Sequence, residues 1–525
     1  MRPGAWLTAM LASLSFAAGC SNPPHVLAAG KTTVAEVAGD PTEIAVATGQ
    51  LRGQIANGVM TFKGIPYAAP PTGPMRWRPP APPTPWQGVR DATNYGNDCM
   101  QARQDWDDRK FSGGPVSEDC LTLNIWAPTK LRGEGVPVMV WIHGGSFIAG
   151  SGAQALYDGR RLAQRGVVVV TINYRLGRFG FFAHPSLTAE ANGAPTGNWG
   201  LMDQIAALEW VRDNIHSFGG DPSNVTIFGE SAGGGAINAL MGSPPARGLF
   251  HRAIVQSGGG RDHLKSLAQA EAIGTAFAHR QHLASASATD LRALPADVVR
   301  DHLDKKTFSG PIADGQIVSD NINTTFVDGA QADVPYMVGA NSEEILFAPA
   351  IAQWWITRSV VSDLGKDAAA IRDAYGSRKS FKRFIASDSI FVEPARHLAE
   401  AAATNGSYLY HFDYVPKSQR KDLDGVPHGG ELAFVFGNLE AIGSPPTSED
   451  QAMAEAVGTY WTTFARTGDP NGASPGGTSL PEWPQFQQGG TQMVFSAHGP
   501  LSETASSAAL DAIQRYQESD QPADN

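Results

Sequence analysis

Residues 225–241 read VTIFGESAGGGAINALM, and this stretch places a sharp turn between a strand and a helix. Its first four residues are an apolar run that suits a buried strand, and the residues from Ala232 onward are helical in pattern. Gly229 and Gly233 stand two positions before and after Ser231, which leaves room for a strained backbone. Ser231 is therefore a candidate nucleophile above a helix N-terminus, where partial positive charge favours a developing oxyanion. An ordinary glycine-rich loop is the alternative for this five-residue pattern by itself.

Strands and helices alternate along the chain on both sides of this turn. Leu201–His216 carries apolar residues at helical spacing, and Gly49–Tyr67 is a candidate antiparallel hairpin. The alternation predicts an α/β fold with a large, mostly parallel sheet and helices on both faces. Residues 262–310 and 348–405 are helical in pattern and fit no sheet order, so we expect them to be insertions over the carboxyl edge of the sheet. The other predicted strands are Val136–Ile142, Gly166–Tyr174 and His251–Gln256.

The composition is that of a globular protein with an acidic balance. The 525 residues include 51 acidic and 40 basic side chains, for a net charge of −11. Nucleic acid is excluded as an expected partner, because phosphate binding requires a basic patch. The length alone would suit about three or four domains of average size. We expect instead that residues 41–520 form one enlarged catalytic domain.

The first twenty residues, MRPGAWLTAMLASLSFAAGC, have the pattern of a secretory leader. Arg2 precedes about fourteen mostly apolar residues, which are too few to span a bilayer. The leader ends in a sequence similar to a bacterial lipobox, so Cys20 is a candidate lipid attachment site. Ordinary secretion after cleavage near residues 26–28 is the alternative, and residues 21–40 are predicted to be a flexible tether. We expect an exported protein, either secreted or a periplasmic or outer-membrane lipoprotein.

A second glycine-rich turn, HGGSF at residues 143–147, follows a predicted strand. Glycine allows the backbone to approach a substrate closely. The backbone N–H groups of Gly145 and Ser146 can then point at a carbonyl oxygen, and the N–H group of Ala232 completes a candidate oxyanion hole. An ordinary glycine turn is the alternative. His143 is not the expected base, because a base has to reach the nucleophile from the opposite side.

These two turns, taken with further motifs, resemble the type-B carboxylesterase and lipase family, the α/β-hydrolases that include the cholinesterases. The resemblance extends over about residues 45–490, and its motifs stand in the family's order. It implies an α/β-hydrolase fold and hydrolysis of carboxylic esters through an acyl-enzyme. The matching stretches are residues 64–68 (GIPYA), 118–126 (EDCLTLNIW), 173–177 (NYRLG), 218–233 (FGGDPSNVTIFGESAG) and 464–470 (FARTGDP).

The resemblance also implies a catalytic acid. The family places the acid after the serine and before the base, which is the chain order of the α/β-hydrolase triad. Residues 341–344 (NSEE) are similar to the family's acid loop and imply that Glu344 is the acid. Ile345 stands where glycine is usual, so Glu343 is the alternative, and a surface pair of carboxylates is another.

The catalytic base is implied in the same way. Residues 425–432 (GVPHGGEL) resemble the family's histidine loop, so His428 is the expected base. In this arrangement His428 takes the proton from Ser231, and Glu344 orients His428 and stabilises its charged form.

Two cysteines and several aromatic residues complete the candidate features. Cys99 and Cys120 are expected to form a disulfide, both from the family resemblance and because the chain is expected to be exported. A pair of buried thiols is the alternative. Aromatic side chains commonly line apolar pockets, although each could equally belong to the core. The candidates for a substrate pocket are Phe147, Trp199, Trp354 and Trp355.

The expected partner is a small-molecule ester, with a possible lipid anchor, in a monomer or a homodimer. No metal or cofactor is expected, since the sequence has no HExxH pattern, CxxC pair or P-loop. Ser146 stands where many relatives have a third glycine, so we expect esters of bulky tertiary alcohols to be poor substrates. Two alternatives are a non-catalytic binding module on this fold, which would lack the serine, and a specialised lipase, amide or toxin esterase.

Overall fold

A computed structural model describes residues 42–102, 114–129, 135–261, 263–303, 307–472, 477, 479–487 and 490–519. The predicted leader, the tether and Cys20 lie outside these residues. All described residues belong to one compact unit that begins at Thr42.

Apolar and β-branched runs form the strands, which we number in chain order over the described residues. They are β1 (Glu43–Val46), β2 (Gly49–Arg52), β3 (Gln54–Ala56), β4 (Val59–Pro66), β5 (Val89–Asp91), β6 (Asp98–Cys99), β7 (Val116–Ser117), β8 (Thr122–Pro128), β9 (Val136–Ile142), β10 (Val168–Ile172), β11 (Gly220–Glu230), β12 (Arg252–Gln256), β13 (Lys265–Ser266), β14 (Ile312–Ala313), β15 (Tyr336–Asn341), β16 (Ser407–Phe412), β17 (Thr491–Ser496) and β18 (Gly499–Thr504).

The α-helices are numbered in the same way. They are α1 (Arg160–Ala163), α2 (Gly177–Gly180), α3 (Pro185–Ala191), α4 (Trp199–Asn214), α5 (Ala232–Met241), α6 (Leu267–Arg280), α7 (Ala288–Arg292), α8 (Ala296–Arg300), α9 (Ile322–Val327), α10 (Ala350–Asp363), α11 (Ala368–Ala374), α12 (Arg378–Ser387), α13 (Glu393–Ala401), α14 (Leu432–Val435), α15 (Ser448–Thr467) and α16 (Ala508–Ser519). A π-helical turn, Asp388–Val392, joins α12 to α13. Among the described residues, no helix has both the length and the apolar content needed to cross a bilayer.

The main sheet has eleven strands in the order β18-β17-β16-β15-β12-β11-β9-β10-β8-β4-β3. The strands from β17 to β10 pair in parallel, whereas the pairs at both edges are antiparallel. The predicted α/β-hydrolase architecture is therefore confirmed, with strand β11 and the serine turn at the centre of the sheet. Because parallel strands end at one edge, the loops after β9, β11, β12 and β15 meet there.

Side chains of β9 show why the sheet has to be covered on both faces. Val138, Val140 and Ile142 belong to one apolar cluster, and the alternating Met139 and Trp141 belong to another. A strand with this pattern is apolar at every position, as the continuous run in the sequence indicates. Every residue of β9 is buried.

Two sequence predictions need correction. The hairpin predicted over Gly49–Tyr67 is formed only by β3 and β4, because β2 turns away and pairs with β1 and β5 in a separate small sheet. The helical segment 348–405 is not entirely an insertion, because α13 packs on β15 and β16. Its apolar stripe of Ala395, Leu398 and Ala399 is buried in the core, which is the spacing of a helix that covers a sheet.

Candidate active site

The turn at Ser231 holds a backbone that few residues adopt. Ser231 has φ of 57° and ψ of −126°, between the end of β11 and the first residue of α5. Its N–H group donates to the carbonyl of Gln256 at 2.9 Å. A Cβ atom on Gly233 would lie 2.0 Å from the carbonyl oxygen of Ile142, and on Gly229 it would lie 2.6 Å from the same atom. The two glycines are thus required by close packing against β9, and the strained turn places Ser231 at the carboxyl end of β11.

The second glycine turn lies directly against the serine. Gly145, Ser146 and Phe147 all have positive φ, at 109°, 54° and 60°. A Cβ atom on Gly144 would come within 3.0 Å of the Cβ atom of Ser231, so the loop backbone is adjacent to the nucleophile. Among the described residues, none accepts a hydrogen bond from the N–H groups of Gly145, Ser146 or Ala232. The three predicted oxyanion donors are consequently available to a ligand.

His143 stabilises this loop from behind. Its ring is buried and stacks on Tyr174 with centroids 4.5 Å apart. The Tyr174 hydroxyl donates to the carbonyl of His143 at 2.8 Å, and Nδ1 of His143 lies 2.8 Å from the carbonyl of Gly144. These contacts fit a role in loop shape rather than in proton transfer.

Glu344 and His428 are in direct contact. Oε2 of Glu344 lies 2.6 Å from Nδ1 of His428, and both side chains are buried. The other carboxylate oxygen, Oε1, accepts bonds from the hydroxyl of Ser257 at 2.6 Å and from the N–H of Asn341 at 2.7 Å. A carboxylate held in this way fixes both the orientation and the tautomer of the imidazole.

Glu343 points to the other side of the same loop. Its Oε1 accepts a hydrogen bond from Nε of Arg383 at 2.7 Å. Gly425 packs on this carboxylate, since a Cβ atom there would lie 2.5 Å from the same oxygen. Of the two acids left open by the sequence, only Glu344 meets the histidine.

The far nitrogen of the histidine reaches the serine turn. Nε2 of His428 lies 3.1 Å from Oε1 of Glu230, the residue immediately before Ser231. The imidazole therefore extends from the acid loop after β15 to the end of β11. This geometry brings together three segments that are far apart in the sequence.

Two further buried groups were missed by the sequence analysis. Glu431 accepts from Nε2 of Gln256 at 2.8 Å and from Nδ2 of Asn341 at 2.6 Å. Burial raises the pKa of Glu431 to about 7, and the negative charges of Glu230 and Glu344 add to the effect. The acidic residue three positions after His428 in the HGGEL stretch was a usable signal for Glu431. Ser257, which bonds to Glu344, follows an apolar strand and carries no local signal.

The aromatic environment of the histidine differs from the predicted pocket. Phe347 and Phe391 pack on the ring of His428, with centroids 5.4 Å and 4.9 Å away. Neither was predicted: Phe347 ends a 3₁₀ turn, Glu344–Phe347, and Phe391 lies in the π-helical turn between α12 and α13. Both rings therefore cover part of the His428 imidazole.

The four predicted pocket residues fall into three environments. Phe147 lies on the oxyanion loop and packs on Phe181 at 5.1 Å. Trp199 is a core residue, 2% exposed, and donates its indole N–H to the carbonyl of Phe182 at 2.9 Å, so its proposed pocket role is not supported. Trp354 and Trp355 are 50% and 59% exposed on α10. Trp354 lines a cavity on the far side of the acid loop.

Cys99 and Cys120 form a disulfide, as the resemblance implies. The bond anchors β6 next to the start of β8, with both cysteines buried. In the chain-entropy model a loop of this size stabilises the fold by about 3 kcal/mol. The tip of the loop, residues 103–113, lies outside the described residues.

A strained serine turn at the carboxyl edge of a mostly parallel sheet, facing a histidine held by a buried glutamate, defines the class of α/β-hydrolases. The comparison with family models gives a narrower assignment. The chain belongs to the carboxylesterase family, whose model matches residues 40–507. The protein is accordingly an enzyme that hydrolyses carboxylic esters.

Curated relatives agree with this assignment. The chain is 34% identical to the fumonisin B1 esterase of Sphingopyxis macrogoltabida, over 94% of each protein. It is 37% identical to the para-nitrobenzyl esterase of Bacillus subtilis strain 168, over 84% of this chain and 91% of the relative.

Solved structures agree as well. A structure described as a thermophilic PNB esterase is 33% identical and has a TM-score of 0.79. The match covers 91% of this chain and 100% of the chain in that structure. A PNB esterase structure is 34% identical, with a TM-score of 0.74 and the same coverage of 91% and 100%.

Proposed function

We propose that ester hydrolysis here is carried by Ser231, with His428 as general base and Glu344 as the residue that orients it. The observation that carries this proposal is the imidazole of His428, which bonds to Glu344 at Nδ1 and reaches the serine turn with Nε2. His428 takes the proton of the Ser231 hydroxyl as its oxygen attacks the ester carbonyl. The alcohol leaves with that proton, and water then hydrolyses the acyl-enzyme by the same steps.

The oxyanion of each tetrahedral intermediate is held by the N–H groups of Gly145, Ser146 and Ala232. Their unoccupied donors and the N-terminus of α5 support this role. Each such donor is worth roughly 2.7–4 kcal/mol of transition-state stabilisation. The side chain of Ser146 occupies space beside these donors, so esters of tertiary alcohols are expected to react slowly. A tert-butyl ester hydrolysed as fast as its n-butyl isomer would contradict that expectation.

A panel of p-nitrophenyl esters of rising chain length tests the mechanism. We expect Ser231→Ala to abolish hydrolysis of every ester without loss of the fold, because the nucleophile is missing. Ser223→Ala is a matched control on the same strand, where the hydroxyl only bonds to Asp221 at 2.7 Å. Activity of Ser231→Ala equal to that of wild type would disprove the mechanism.

The substrate class we propose is a small carboxylic ester. The names of the relatives span fumonisin B1, para-nitrobenzyl esters and cocaine, so family membership by itself does not select one ester. The panel above measures the preferred acyl length directly, and a rate that falls steeply beyond short chains would exclude a long-chain lipase.

We further propose that the protein is exported and anchored by a lipid on Cys20. The support is the leader sequence and the residues before Cys20, which are similar to a lipobox. Mass spectrometry of the N-terminal peptide of the protein isolated from membranes tests this. A diacylglyceryl cysteine is expected. An unmodified N-terminus near residue 29 would indicate ordinary secretion instead.

A further inference from the structure

A cavity of about 620 Å³ lies behind the acid loop, between α10, α11 and α12. Its volume is in the range of small-molecule sites in proteins. Glu343 and Ile345 form part of its wall. Because Glu343 points away from His428 while Glu344 points towards it, the cavity is on the opposite side of the loop from the histidine.

The cavity is strongly basic in a protein whose net charge is −11. Five cationic side chains line it against the single carboxylate of Glu343. Two of the five are engaged in ion pairs, Arg383 with Glu343 and Arg372 with Asp373. The five cationic residues are Arg358, Arg372, Arg378, Lys382 and Arg383.

The remaining cations are available to a ligand. Among the described residues, neither Arg378 nor Lys382 has an acidic partner. Arg358 lies over the ring of Trp354 at 5.4 Å rather than beside a carboxylate. All three belong to the outer walls of the cavity, on α10 and α12. A concentration of unpaired positive charge around a cavity attracts anions.

The other walls of the cavity are apolar. Ile345, Leu346, Val361 and Phe381 line it together with Trp354. Helix α10 contains no buried residue, and its large apolar side chains Ile351, Trp354 and Trp355 are exposed. Apolar walls with a cationic outer part suit a ligand that has an alkyl chain and an anionic head.

We propose that this cavity binds an anionic amphiphile of the alkyl carboxylate class, with its chain against Leu346, Val361 and Trp354 and its head between Arg378 and Lys382. The site is separate from the ester-cleaving residues and goes beyond the proposed function. Its binding can be measured with Ser231→Ala, so failure of the catalytic proposal and failure of this one are distinguishable.

Calorimetric titration of the full chain with octanoate, below its micelle concentration, tests the proposal. We expect saturable binding at a single site, weakened as salt is raised, since salt screens the charge contacts. Octanol and acetate are the two comparison ligands, and each is expected to bind more weakly because it lacks the charge or the chain.

Charge reversal locates the site. We expect Arg378→Glu and Lys382→Glu each to weaken octanoate binding about tenfold or more, equivalent to about 1.4 kcal/mol. Lys379→Glu is the matched control, since it makes the same change on α12 at a residue that does not line the cavity. Hydrolysis of p-nitrophenyl acetate should be unchanged in all three variants and reports that each is folded.

Three outcomes would overturn the proposal. The first is an absence of octanoate binding to the wild type. The second is a loss of affinity in Lys379→Glu as large as in the cavity variants. The third is binding of anionic lipid vesicles without binding of monomeric octanoate, which would assign the basic and aromatic surface to a lipid bilayer.

Discussion

Two successive glutamates serve two regions of opposite character. Glu344 faces a buried, acidic region in which it meets His428, Ser257 and Asn341. Glu343 is also buried, but it lines the basic cavity on the open side and pairs there with Arg383. The acid loop is thus the boundary between a fixed polar network and a cationic cavity accessible to ligands.

The difference shows how the same carboxylate chemistry is used in two ways. On the buried side, each oxygen of Glu344 has a hydrogen-bond partner. The carboxylate is therefore held in one position, in which it orients the imidazole of His428. On the open side, the single carboxylate of Glu343 leaves most of the positive charge of the cavity uncompensated. The first arrangement supports catalysis by rigidity, whereas the second supports binding of an anion.

The largest expected effect separates the two glutamates directly. Glu344→Gln should lower kcat on the order of 10⁴-fold, because an amide does not hold the imidazole in the required tautomer. Glu343→Gln should leave kcat close to that of wild type, since its partner is Arg383. Steady-state kinetics with one p-nitrophenyl ester measures both. Equal losses in the two variants would contradict the division of the loop into two sides.

A second prediction concerns the accumulation of acids on the buried side. The folded pKa of Glu431 is about 7, against an ordinary value of 4.5. The folded protein therefore holds this proton more tightly than the unfolded chain does. Stability contributed by the protonated form is present below about pH 4.5 and is lost as pH rises to about 7.

Glu431→Gln removes this dependence. As pH rises from about 4.5 to 7, we expect the unfolding free energy of the variant to increase relative to that of wild type by on the order of 1–3 kcal/mol. Lost hydrogen bonds add a constant offset, so the readout is the change with pH of the difference in unfolding free energy. Urea denaturation at several pH values measures it, with Glu343→Gln as the control on the open side. A difference that is flat with pH would contradict the burial argument.

The fold and the serine turn could be predicted from the sequence because their causes are local. Gly229 and Gly233 are demanded by contact with β9, and the apolar strands identify themselves by continuous hydrophobicity. The directions in which neighbouring side chains point could not be predicted in the same way. Whether Glu343 or Glu344 meets the histidine depends on Arg383 and Ser257, which the chain brings to the loop from distant positions.

The aromatic residues show the same limit. Trp199, Trp354 and Trp355 were reasonable pocket candidates by composition, yet the first is in the core and the other two are on the surface of α10. Phe347 and Phe391 lie on the histidine because a 3₁₀ turn and the π-helical turn direct them there. A hydrophobicity pattern identifies an apolar side chain, but it does not say which neighbour covers it.

The third prediction tests how rigid the buried side is. Ser257→Ala removes the hydroxyl that donates to Oε1 of Glu344 at 2.6 Å. A hydrogen bond to a charged group is worth about 1.5–3 kcal/mol, so we expect kcat to fall roughly tenfold or somewhat more. A loss confined to KM would indicate that Ser257 acts on binding rather than on the orientation of Glu344. Ser223→Ala again serves as the exposed control.

The smallest expected effect is on the open side, in the pair formed by Glu343 and Arg383. Arg383 is 31% exposed and Glu343 is 7% exposed, so solvent screens the pair from the arginine side, and we expect a coupling energy of about 1 kcal/mol in a double-mutant cycle. The cycle uses Glu343→Gln, Arg383→Gln and the double variant, with unfolding free energies from urea titration. If the acid loop separates the two regions, none of the three variants should alter kcat as much as Ser257→Ala does. A larger effect on kcat would mean that loss of the Glu343–Arg383 pair also changes the position of Glu344.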